Sequence, residues 1–134
     1  MTVSDNLRRL RVLVVEADAI IGLDLSDALD EAGYEVIGPH AACAEALAWL
    51  DVEMPHAAIL DLTLENGKCA DVGRFLKEKQ IPLVAFSIRS EIRFGRGEFH
   101  DVPWLEKPLP AAGVVRALTN HLDQWSPPAA RDCQ

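Results

Sequence analysis

The sequence predicts an α/β domain built on an open parallel sheet covered by helices on both faces. Apolar runs too short for helices alternate with segments of helical period, about five times along the chain. The runs Val12-Leu13-Val14-Val15 and Leu83-Val84-Ala85-Phe86 are continuously apolar rather than alternating, which suits strands buried on both faces. Polar and charged residues collect where these runs end: Glu16, Asp61, Ser87 and Lys107.

The elements follow in order. Val12 to Val15, rich in β-branched residues, is the first strand. Ile21, Leu25, Ala28, Leu29 and Ala32 then share one helical stripe, and Gly33 stands where a C-terminal cap belongs. Tyr34 to Ile37 is a second strand ended by Gly38-Pro39, Ala44 to Leu50 a short helix, and Ala57 to Leu60 a third strand running into Asp61. Gly67 closes the next turn, and Val72, Phe75, Leu76 and Lys79 mark a third helix. Pro82 opens a fourth strand, Leu83 to Phe86, which ends at Ser87. Val102 to Leu105 is a poorer fifth strand, admitting Pro103 only at an edge or at its start. Pro110 suits the first turn of a last helix, whose inner face carries Val114, Val115, Leu118 and Leu122. Residues 1–126 are expected to form the domain and 127–134 a flexible C-terminal tail. Between Ser87 and Trp104, charges and the glycines Gly95 and Gly97 leave no clean helical stripe. That segment reads as mostly loop, with a helical turn near Ser90 to Phe94 and at most one or two turns in all.

Composition excludes several classes of function. A chain of 134 residues fits one domain, and one this size buries roughly two-thirds of its unfolded surface. Hydrophobic residues make up 49% of it, enough for a packed core and against disorder. A net charge of -8 argues against nucleic acid and anionic membranes, both of which select basic surfaces. The apolar run after Arg8, Arg9 and Arg11 stops at Glu16, too short for an export signal, and no run approaches a membrane span; a cytoplasmic location is expected. The three cysteines, Cys43, Cys69 and Cys133, show neither a CxxC pair nor zinc spacing and read as separate thiols in a reducing compartment. His40, His56, His100 and His121 form no metal-binding pattern.

In open parallel sheets, ligands bind beyond the carboxyl ends of the strands. Those ends offer Glu16 and Asp18, then Asp61, Ser87 and Lys107. Each alone is weak; an aspartate at a strand end is usually a cap. Together they suit phosphoryl transfer to a carboxylate, in which Asp61 is the nucleophile. Lys107 and Ser87 would meet the charge on the transferring group, and oxygen ligands would hold a magnesium ion.

The runs Val12-Leu13-Val14-Val15-Glu16, Ile59-Leu60-Asp61-Leu62, Ala85-Phe86-Ser87 and Leu105-Glu106-Lys107-Pro108 resemble the response-regulator receiver family of two-component signalling. The resemblance covers about residues 10 to 123. It implies a flavodoxin-like (βα)5 doubly wound sheet of strand order 2-1-3-4-5, its fourth helix here short or absent. It implies Asp61 as phosphoacceptor, Ser87 and Lys107 as the hydroxyl and ammonium that follow the phosphoryl group, and Trp104 as the switching aromatic. Magnesium would be held, weakly, by Glu16, Asp61 and the peptide oxygen of Thr63. A cis peptide between Lys107 and Pro108 is implied as well.

Three departures stand out. Ala17 takes the place of the second acid of the magnesium-binding pair, and Asp18 beside it suits a helix cap better than a ligand. Ile88 follows Ser87 where a small residue is usual, and the fourth helix is degenerate. The expected function is that of a stand-alone receiver, taking phosphate from a histidine kinase or histidine phosphotransfer protein and acting on a downstream protein by contact. Ile20 and Leu23 would dock the donor unless they merely widen the core stripe, and a homodimer is a further expected assembly. The alternative is a receiver-fold interaction module that works without phosphorylation because of Ala17. An aspartate-nucleophile phosphatase of the haloacid dehalogenase kind is disfavoured, because the position of its catalytic acid is Thr63.

Overall fold

Successive side chains of a strand point to opposite faces, so a strand apolar at every position must be covered on both. The computed structural model, which describes residues 9–62, 68–88 and 97–125, meets that demand. β1 (Arg11–Val15), β2 (Glu35–His40), β3 (Ala57–Leu60), β4 (Leu83–Ile88) and β5 (Trp104–Lys107) form one parallel sheet in the order β2-β1-β3-β4-β5. This is the doubly wound order that the family resemblance implies. α1 (Ala19–Glu31) and α4 (Ala111–Gln124) cover one face, and α2 (Cys43–Leu50) and α3 (Lys68–Glu78) the other.

The strands divide their side chains accordingly. Val12, Val14, Ile59, Val84 and Phe86 pack with Leu25, Leu29, Val114 and Leu118 on the first face. Leu13, Val15, Ala58, Leu60 and Leu83 pack with Ala46, Leu50, Val72 and Leu76 on the second. Each such Val or Leu contributes about 1.5–3 kcal/mol by leaving water. α1 starts where the Asp18 side chain accepts hydrogen bonds from the backbone N–H of Ile20 and Ile21. It stops at Gly33, whose φ of +95° is the left-handed conformation glycine adopts without penalty.

Four local expectations are corrected. β2 does not end at Gly38-Pro39 but continues to His40. As an edge strand it tolerates a proline, and Gly38, at φ +104°, shifts the register so that His40 pairs with Val15. β5 lies later than expected, at Trp104–Lys107, because Pro103 precedes it and only its carbonyl joins the ladder, accepting from Ala85 N–H. Ala32, expected on the inner stripe of α1, is its exposed C-cap. The cysteines are not all separate thiols, since Cys43 and Cys69 are joined in a disulfide, Cα to Cα 5.1 Å.

Between β4 and β5 the described residues hold one 3₁₀ turn, Gly97–Phe99. The helical turn expected near Ser90 to Phe94 lies outside the described residues, as does the tail expected at 127–134. The 3₁₀ turn is fastened to α3. Arg74 pairs with Glu98, Lys77 pairs with Asp101 and donates to the Glu98 carbonyl, and the buried Phe99 ring lies against Gly73. The Lys107–Pro108 peptide is cis, as is Gly38–Pro39.

Candidate functional site

Four strand ends deliver four polar side chains to one rim of the sheet. The N–H of Glu16, just past β1, donates to the His40 carbonyl, and that of Asp61, just past β3, donates to the Val15 carbonyl. The ladder therefore holds both acids by their backbones. Ser87 lies in β4, and Lys107 is the last residue of β5.

Their side chains meet. Lys107 Nζ lies 2.7 Å from Glu16 Oε1 and 3.1 Å from Asp61 Oδ2. Ser87 Oγ donates to the other carboxylate oxygen, Asp61 Oδ1, at 3.2 Å. Glu16 Oε2 accepts from the N–H of Asp18 at 3.1 Å. Glu16, Asp61 and Ser87 keep only 4%, 8% and 0% of their surface exposed. Charges buried this deeply require paired charges and hydrogen bonds, or desolvation is uncompensated. Burial alone pushes the Lys107 ammonium down, but the Glu16 hydrogen bond and the Asp61 charge outweigh it, so its pKa is raised above that of an ordinary lysine. The ammonium also lies 5.3 Å over the Phe86 ring, a cation–π contact that the sequence reading missed.

The remaining expected residues divide. Asp18 is committed to capping α1, its Oδ1 accepting at 2.9 and 3.1 Å, and Ala17 is exposed and its side chain offers no oxygen. Thr63 lies outside the described residues. Trp104 starts β5, half-buried, and donates its indole N–H to the Phe99 carbonyl at 2.9 Å. Ile20 and Leu23 are 72% and 60% exposed, so they do not widen the core stripe. Ile88 is also exposed, beside Ser87. His56 and His100 are exposed, His121 is half-buried on α4, and His40 ends β2.

Glu16 and Asp61 converge on one cation of the chain itself, a hard oxygen donor set that suits Mg²⁺. Among the described residues no group of three or more His, Cys, Asp or Glu could hold a metal. A cation here would draw on two side-chain carboxylates among the described residues.

Known proteins share this arrangement of strands. The structure of a response regulator receiver protein from Sinorhizobium medicae WSM419 superposes with a TM-score of 0.74 at 22% identity, over 90% of this chain and 99% of that one. The solution structure of SdrG from Sphingomonas melonis Fr1 is 32% identical, with a TM-score of 0.71 over 85% of this chain and 97% of that one. The transcriptional regulatory protein PdtaR of Mycobacterium tuberculosis is 29% identical over 112 residues, covering 81% of this chain and 54% of that protein. The chain belongs to the response-regulator receiver family. No protein-family model matches this receiver, and it spans about half the length of the curated relatives it matches. Among its described residues no helix is long and apolar enough to cross a membrane.

Proposed function

We propose that this receiver accepts a phosphoryl group on Asp61 from a histidine kinase or histidine phosphotransfer protein and signals by protein contact. One observation carries the reading: Lys107 and Ser87 grip opposite oxygens of the same buried carboxylate. An Asp61 oxygen attacks phosphorus as the donor's P–N bond breaks, and the electron pair leaves with the histidine nitrogen. The Lys107 ammonium and the Ser87 hydroxyl stand beside the attacking carboxylate and would turn from its oxygens to the equatorial oxygens as charge spreads over them. Mg²⁺, held weakly by Glu16 and Asp61 with the Thr63 peptide oxygen, would supply further positive charge there. Donor docking falls to Ile20 and Leu23, large apolar side chains at the start of α1 that no core contact uses.

The test is the mass of the protein after incubation with acetyl phosphate and Mg²⁺. A gain of one phosphoryl group, absent in Asp61→Asn, supports the proposal. No gain in the wild type would favour an interaction module that works without phosphorylation.

A further inference from the structure

Cys43 and Cys69 take no part in the acid site, and each stands in the first turn of a helix. Cys43 opens α2 just beyond His40, whose carbonyl holds the Glu16 backbone. Cys69 lies in the first turn of α3, at the far end of the connection that leaves Asp61. Their Cα atoms are 5.1 Å apart, within the usual range for a disulfide, and both residues are fully buried. A bridge therefore ties the start of α2 to the start of α3.

The fold does not depend on that bridge. Ala46, Leu50, Val72 and Leu76 fill the same face of the sheet with apolar side chains, and a thiol packs as a small hydrophobe. A domain of this length reaches a stable core without a staple, unlike much smaller ones. The reduced chain is therefore expected to keep the same packed face, with the sulfurs as two thiols.

We propose that Cys43 and Cys69 are a redox modification site, bridged by an oxidant of the peroxide class and opened by a dithiol reductant. In the forward step one thiolate attacks the peroxide, whose O–O bond breaks, giving a sulfenic acid and one water. The second sulfur displaces the sulfenic oxygen as a second water, so two electrons pass from sulfur to oxygen. In reverse, a dithiol attacks one sulfur, forms a mixed disulfide, and leaves as its own disulfide while both cysteines regain their protons. Because neither sulfur is exposed, both directions require local opening of a helix start, and sub-denaturing urea accelerates them.

The experiment uses the full chain carrying Cys133→Ser, so that only this pair can react. After hydrogen peroxide, peptide mapping without reductant is expected to recover the Cys43 peptide joined to the Cys69 peptide; after dithiothreitol, two titratable thiols are expected. The bridge closes a sequence separation of 26 residues, and the reduced form is expected to unfold about 10 °C lower. Cys43→Ser or Cys69→Ala should abolish that redox-dependent difference, and either variant serves if the other folds poorly. Two free thiols after peroxide, or equal unfolding temperatures in both states, would overturn the proposal.

Discussion

Ala17→Asp adds a carboxylate beside the two that Lys107 holds together. At an effective dielectric near 20, a unit charge about 4 Å from a divalent cation is worth about 8 kcal/mol gross, and in bulk water about 2 kcal/mol. Ala17 is exposed, so the lower part of that range applies. Desolvating the new carboxylate and displacing a water return much of the remainder, since Mg²⁺ keeps waters readily. The net gain expected is about 1 kcal/mol, or roughly fivefold tighter Mg²⁺ binding. Phosphorylation by acetyl phosphate should accelerate alongside. Calorimetric titration of Mg²⁺ into wild type, Ala17→Asp and the neutral control Ala17→Asn measures it directly. Fluorescence would be a poor substitute, because Trp104 is turned to the Phe99 carbonyl at the other end of β5. Equal affinities in wild type and Ala17→Asp would refute the reasoning and mean that the third acid never reaches the ion.

Further outcomes follow from the same geometry. Lys107→Met strips Glu16 and Asp61 of their shared ammonium and should cost about 3 kcal/mol in urea unfolding, the lower end for a broken buried pair. Because the Lys107 pKa is raised above its ordinary 10.5, that contribution is complete below pH 10.5 and disappears only as pH rises through the folded value; a gap that closes near neutrality would contradict it. Asp18→Ala should lower stability by about 1 kcal/mol through loss of the α1 cap while leaving Mg²⁺ affinity unchanged; a tenfold fall would make Asp18 a ligand. Burial holds the His121 imidazole below its ordinary 6.5, so the fold favours its neutral form. Stability is full above pH 6.5 and falls as pH drops below it, and His121→Gln should flatten that acid limb in thermal melts. Leu23→Glu should leave acetyl-phosphate labelling intact and slow transfer from the cognate histidine donor; unchanged transfer removes Leu23 from the docking surface.

The sheet was legible because the runs Val12 to Val15 and Leu83 to Phe86 in its inner strands are continuously apolar, a pattern that two covering layers explain. The acid rim was legible because strand ends carry polar groups that burial forbids elsewhere along the same runs. Features that depend on partners distant in sequence were not. Nothing near Phe99, a buried aromatic within a charged stretch, marks it as core; its socket is Gly73 in the middle of α3. The start of β5 was misplaced because Val102 and Pro103 look strand-like locally, whereas only the carbonyl of Pro103 reaches β4. Cys43 and Cys69 looked unrelated because a pairing between two helix starts has no spacing signature. One signal was available, since each falls on the inner face of its helix, toward the same side of the sheet.

A methyl carbon placed on Gly73 would lie 2.7 Å from the Phe99 ring, closer than such atoms approach without something yielding. Positions 73 and 99 are therefore a single choice. Across relatives sharing this short connection, any side chain at the first should coincide with a smaller one at the second, and a lone Gly73→Ala should be rescued by Phe99→Leu. Trp104 binds the carbonyl of that same Phe99, so the covariation should extend to a third position, where an aromatic without a ring N–H loosens the demand on the other two.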